Sequence, residues 1–126
     1  MIRCVAIDDE PHALRQMVEY IKKTPFLELV EQFENPLLAF SYLQENIVDL
    51  IFIDINMPDL NGMDFVKSLN NPPKIIFTTA YSEYAVEGFK VNAIDYLLKP
   101  FAYTDFLKAA QKALVVTTGL SLFNLL

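Results

Sequence analysis

Five short apolar runs, separated by longer periodic segments, constrain this chain more than any other feature. They are IRCVAI (2–7), LELVEQF (27–33), DLIFID (49–54), KIIFTT (74–79) and DYLLK (95–99). Their length and their content of Val, Ile and Phe mark them as strands. The third and fourth are nearly continuous in hydrophobicity, as a strand covered on both faces requires; the second alternates more and belongs nearer an edge. Four of the runs end in polar groups: Asp8-Asp9-Glu10 after the first, Asp54 on the third, Thr79 on the fourth and Lys99 on the fifth. In an open parallel sheet, functional groups gather outside the carboxyl ends of the strands, so these residues describe one site.

The intervening segments carry helical spacing. Pro11 to Lys23 places Leu14, Met17, Val18 and Ile21 on one stripe, with Pro11 suited to a first turn and Lys22-Lys23 to a last one. Further stripes run from Pro36 to Glu45, Gly62 to Leu69, Glu83 to Lys90 and about Tyr103 to Leu114. Strand and helix alternate five times, which predicts an α/β fold built from right-handed βαβ crossovers around a parallel sheet. Residues 115–126, VVTTGLSLFNLL, are uncharged and mostly apolar where a polar linker is expected. They read as the start of a second domain, a non-native junction or an apolar tail, outside a domain of residues 1–114.

With 126 residues, the chain has the length of one domain able to bury roughly two-thirds of its unfolded surface. A lone Cys4 inside the first apolar run reads as a small core residue; it cannot form an internal disulfide, which fits a reducing cytoplasm. Asp8-Asp9-Glu10 interrupts the N-terminus too early for a signal peptide, and no run reaches the ~20 residues a membrane helix needs. A soluble, cytoplasmic protein is the expectation, without membrane contact. The net charge of −6 opposes nucleic-acid binding by this segment, because phosphate contacts require clustered Lys and Arg.

Asp8, Asp9 and Asp54 at neighbouring strand ends would repel, at about 4 kcal/mol for two charges 4 Å apart at an effective dielectric of 20. Such a cluster calls for a cation. Mg²⁺ is the natural partner, since it binds through one or two carboxylates while accepting phosphate oxygens; the lone His12 and Cys4 offer no zinc set. A carboxylate beside such a metal can act as a nucleophile toward phosphorus. Asp54 is the best candidate, because it ends the most apolar strand beside the loop NMPDLNG, whose Asn56 and Met57 can turn a carbonyl toward the metal. Lys99 can pair with a phosphoryl oxygen and Thr79 can hydrogen-bond another. Taken singly, the features have blander readings: a DD pair as a helix N-cap, Thr79 as a satisfied hydroxyl, Lys99 as a solvated charge. Their joint order is what argues for a site.

At this point the chain resembles the receiver domains of bacterial two-component response regulators over residues 1 to about 114. IDDE supplies the acidic pair, DINMPDLNG the phosphoacceptor Asp54, TTAYSEYA the switch hydroxyl Thr79 with Ala80, and DYLLKPF the aromatic switch Tyr96, Lys99 and Pro100. The resemblance implies a flavodoxin-like (βα)5 sandwich with strand order 2-1-3-4-5. It implies Mg²⁺ held by Asp9, Asp54 and the carbonyl of Asn56, with Asp8 acting through water, and a cis bond before Pro100. The stretch TAYSEYAVEGFKVNAIDYLLKPF is similar to the LytTR class of transcription regulators, which implies a DNA-binding output domain beyond these residues.

The implied partner is a sensor histidine kinase. The implied response is homodimerisation through the fourth helix, fifth strand and fifth helix once Thr79 is drawn toward phosphate and Tyr96 rotates inward. Tyr84, Phe89 and Tyr103 are candidates for that surface or for ordinary core-edge residues. Asn56 and Tyr81 flank the site and should influence phosphoryl lifetime. The resemblance implies no enzyme beyond self-phosphorylation and self-dephosphorylation. Two other readings remain: a phosphatase, disfavoured because Asn56 stands where such enzymes carry an acid/base Asp, and a pseudo-receiver that binds proteins without phosphorylation.

Overall fold

The computed structural model describes residues 1–82 and 92–119. Its elements run β1 (Ile2–Ile7), α1 (Pro11–Lys23), β2 (Leu27–Phe33), α2 (Pro36–Glu45), β3 (Leu50–Asp54), α3 (Gly62–Lys67), β4 (Lys74–Thr79), β5 (Asp95–Leu98) and a last helix, Tyr103–Thr118. The five strands form one parallel sheet in the order β2-β1-β3-β4-β5. This is the flavodoxin-like arrangement expected, and β2, the most alternating strand, does lie at an edge. The helix expected over Glu83 to Lys90 falls outside the described residues.

Alternation along the buried strands divides the core in two. Leu50 and Phe52 face Leu14, Met17 and Ile21 of α1 and Phe106, Ala110 and Leu114 of the last helix. Ile51 and Ile53 face the opposite way, toward Ala39 of α2 and Met63, Phe65 and Val66 of α3. Every residue of β3 is buried, which explains why its sequence before Asp54 lacks the polar positions of a half-exposed strand.

Boundaries differ from expectation at four points, the first being β3, which begins at Leu50, one residue after Asp49. α3 stops at Lys67, because the N–H of Ser68 satisfies carbonyls of the last turn and closes it. β5 ends at Leu98, one residue early, so Lys99 lies just past the sheet. The last helix continues to Thr118, four residues beyond the Leu114 expected. Val115 and Val116 are therefore exposed helical residues, and Gly119 ends the helix in a left-handed conformation that suits its missing Cβ. None of the helices among the described residues is long and apolar enough to cross a membrane.

Candidate functional site

Register builds the site. β1 pairs with β3 from Cys4↔Leu50 to Ile7↔Ile53, so Asp8 and Asp54 leave adjacent strands at the same level. β4 pairs beside β3 with Asp54↔Thr78, and the N–H of Ile55 donates to the Thr78 carbonyl at 2.9 Å, which sets Thr79 next to the end of β3. The N–H of Lys99 donates to the Thr79 carbonyl at 2.7 Å and brings the lysine in from β5. The bond between Lys99 and Pro100 is cis. Four strand ends thus supply one cluster.

Carboxylate oxygens of Asp8, Asp9 and Asp54 lie within 4.8 Å of one another. Asp8 and Asp54 are buried, at 5% and 6% exposure, while Asp9 is partly open. The Lys99 ammonium donates to Asp8 Oδ2 at 2.9 Å and stands 3.4 Å from Asp54 Oδ1. One cation among three carboxylates leaves the cluster short of positive charge, and the all-oxygen donor set suits a hard divalent ion. Beside it opens a groove of about 300 Å³ whose lining includes Asp9, Asn35, Met57 and Asp59.

The electrostatics follow from this crowding. Burial, then the charge of Asp8, pushes the Asp54 carboxyl up from 3.8 to about 6, although Lys99 and the backbone N–H of Asn56 pull the other way. Burial alone would lower the Lys99 ammonium; the hydrogen bond and charge of Asp8, followed by Asp54, outweigh it and hold the lysine above its ordinary value.

The acidic run is not a simple N-cap. Glu10 caps α1, its carboxylate accepting from the N–H groups of His12 and Ala13, and those bonds hold it below the usual carboxylate range. Asp8 accepts from the N–H of Glu10 at 3.0 Å, which shapes the turn, and its other oxygen faces Lys99. Cys4 is fully buried, and burial with the charge of Asp49 pushes its thiol up to about 12, so it stands apart from the chemistry.

Thr79 is buried, and its Oγ1 donates to Asn56 Oδ1 at 3.2 Å while accepting the N–H of Tyr81 at 3.1 Å. Tyr96 is partly buried and stacks on Phe77, with ring centroids 5.4 Å apart. Of the aromatics considered for a switch surface, Tyr84 and Phe89 lie outside the described residues. Tyr103 belongs to the core edge: its ring packs on Tyr20 at 5.4 Å, Lys23 Nζ stands 4.6 Å from its centroid, and its hydroxyl meets Thr24 Oγ1 at 3.0 Å.

Sequence reasoning missed Gly62. Its N–H donates to the Ile55 carbonyl at 2.7 Å, and a Cβ built there would collide with the carbonyl oxygen of Asp54 and crowd the Ile55 Cα at 3.0 Å. Glycine is needed at this position because α3 begins against the backbone that carries Asp54. The available signal was the Asn61-Gly62 pair; Asn61 caps α3 by accepting the N–H of Met63 at 2.7 Å.

Comparison with known proteins agrees with this geometry. Residues 4–111 match the family model described as the response regulator receiver domain. The chain is 35% identical over 114 residues to the transcriptional regulatory protein LytR of Staphylococcus aureus, covering 88% of this chain and 46% of that protein. It thus spans about half the length of the curated relatives it matches. Among solved structures, the response regulatory domain of mrkE from Klebsiella pneumoniae superposes with a TM-score of 0.85 at 32% identity, over 94% of this chain and all of that one. The response regulator TrrA from Thermotoga maritima, in complex with Mg²⁺-BeF, superposes with a TM-score of 0.78 at 27% identity, over 90% of this chain and 99% of that one. This chain belongs to the response regulator receiver domain family.

Proposed function

We propose that Asp54 accepts a phosphoryl group from a sensor histidine kinase in a Mg²⁺-dependent reaction, and that the change at the strand ends is passed to an output domain. The observation that carries this reading is the placement of Asp54 Oδ1 3.4 Å from the Lys99 ammonium, within a cluster of carboxylates that one lysine cannot neutralise. Asp8, Asp9, Asp54 and the backbone carbonyl of Asn56 would hold the metal. When bound, the ion lowers the repulsion between the anionic nucleophile and the incoming phosphoryl oxygens.

An Asp54 carboxylate oxygen attacks phosphorus as the bond to the donor's imidazole nitrogen breaks, and the imidazole leaves with the electron pair. Lys99 offers its ammonium to a phosphoryl oxygen, which requires it to relax its pairing with Asp8. Thr79 supplies a hydroxyl to another oxygen and moves toward Asp54 in doing so. Tyr96 then rotates into the space released, which reshapes the face formed by β5 and the last helix; the fourth helix expected to share that face lies outside the described residues. Leu98, Val115 and Val116 are already about half exposed on elements of that face, which supports its use in homodimerisation. The likeness to the transcriptional regulatory protein LytR supports a place in transcription regulation, and the resemblance of the segment from Thr79 to Phe101 to the LytTR class supports a DNA-binding output domain. The domain expected over residues 1–114 takes in the remainder of the last helix, to Thr118.

Intact mass after incubation with acetyl phosphate tests the reading. The parent should gain one phosphoryl group only with Mg²⁺, and Asp54→Ala should gain none. No gain by the parent would favour a pseudo-receiver that docks proteins without phosphorylation.

A further inference from the structure

Thr79 carries one hydroxyl proton, and that proton is already committed. Its Oγ1 donates to Asn56 Oδ1 at 3.2 Å, while the N–H of Tyr81 donates to the same Thr79 oxygen at 3.1 Å. A hydroxyl has one donor and two acceptor sites, so the Tyr81 bond leaves the proton's direction open, whereas the Asn56 bond fixes it. Thr79 cannot give its proton to an oxygen on Asp54 while it gives it to Asn56. The two residues also differ in burial: Thr79 is 2% exposed, and Asn56 stands in contact with solvent at the mouth of the site.

We propose that the Asn56 side chain is a positioning residue that holds the Thr79 hydroxyl in its resting arrangement, so that a phosphoryl group on Asp54 must displace it before Thr79 can engage. This rests on Asp54 as phosphoacceptor and gives the Asn56 side chain a task separate from that of its backbone carbonyl. A bond made only in the resting arrangement opposes any ligand that selects the other one. Because Asn56 is exposed, water replaces Thr79 on its carbonyl oxygen after the exchange, and the latch stays weak enough to release. The net worth of an ordinary hydrogen bond corresponds to about a 3- to 10-fold change in an equilibrium constant.

The test is calorimetric titration with beryllofluoride, a phosphoryl analogue, at saturating Mg²⁺. The proteins are the parent, Asn56→Ala, Thr79→Val and the double variant. Asn56→Ala should tighten beryllofluoride binding about 3- to 10-fold in the parent background and leave it unchanged in the Thr79→Val background. Equal affinity of the parent and Asn56→Ala, or the same shift in both backgrounds, would overturn the proposal, since Asn56 would then not act through Thr79. Should Thr79→Val fail to fold, the Thr79 methyl resonance in Mg²⁺-free protein gives a second readout: it should move in Asn56→Ala, and an unmoved resonance counts against the latch. Absence of binding by the parent itself would overturn the phosphoacceptor reading, and the latch with it.

Discussion

Replacing Asp54 by Asn should make the metal-free protein more stable, although it removes the group on which the proposed chemistry depends. Asp54 is buried beside Asp8, and these two causes raise its carboxyl from 3.8 to about 6. Each unit corresponds to about 1.4 kcal/mol, giving an upper bound of about 3 kcal/mol; solvent reaching the open side of the pocket reduces this to about 1–2 kcal/mol. The amide keeps the shape and an acceptor for the Asn56 N–H, and Lys99 keeps its 2.9 Å contact with Asp8.

The pH dependence follows from the direction of that shift. A carboxyl whose folded pKa lies above its unfolded value weakens the fold when ionised. The cost is complete above about pH 6, declines as the pH falls through 6, and is nearly absent near 3.8. Urea denaturation in chelator should therefore show Asp54→Asn ahead by about 1–2 kcal/mol at pH 8, and by about a third of that at pH 4.5. Saturating Mg²⁺ should reverse the order at pH 8, because only the parent retains the full ligand set. An Asp54→Asn protein that gains nothing at pH 8, or gains equally at both pH values, would refute the claim that charge crowding strains this site.

Gly62→Ala should lower stability by about 1–3 kcal/mol, the range of an overpacked buried site, and should also slow acetyl phosphate labelling, because the added methyl group presses on the Asp54 backbone. Urea denaturation and mass spectrometry check the two effects; wild-type behaviour in both would show that α3 can shift without disturbing Asp54. Tyr96→Ala should label nearly as well as the parent while dimerising less on phosphorylation, as read by sedimentation; equal dimerisation would remove Tyr96 from the switch. Tyr81 is half exposed beside Thr79 and can hinder the attacking water, so the phosphorylated parent should decay slowly and Tyr81→Ala faster. A parent lifetime of seconds, unchanged in Tyr81→Ala, would count against that role.

How much was legible in the sequence depended on whether a residue's position follows from its own strand. Asp8, Asp54, Thr79 and Lys99 each end an apolar run, and a parallel sheet with helices on both faces allows few places for such ends. Their convergence could be argued before any coordinates. Gly62 could not be found in this way, because its requirement arises from a contact with the Asp54 carbonyl that no periodicity encodes. The Thr79 to Asn56 bond was hidden for a related reason: it joins residues 23 apart whose meeting depends on the path of the β3–α3 loop. The last helix ran past Leu114 because Val115 to Thr118 lack a stop signal, and Gly119 supplies one.

These two kinds of residue divide the labour of the site. Groups at strand ends are held by sheet register, so the backbones that carry Asp8 and Asp54 cannot move apart to relieve their imbalance of charge. The imbalance is instead available to whatever brings positive charge, and then to whatever phosphoryl group that charge admits. Thr79 and Tyr96 have backbones fixed by β4 and β5, and the proposed function asks only their side chains to move. On the proposed reading, a rigid frame with crowded charge and two rotatable groups would convert a local gain of charge into a change of surface without moving the sheet. Stability and signalling should therefore oppose one another here: substitutions that calm the metal-free pocket, Asp54→Asn foremost, should also be those that leave the protein unable to respond.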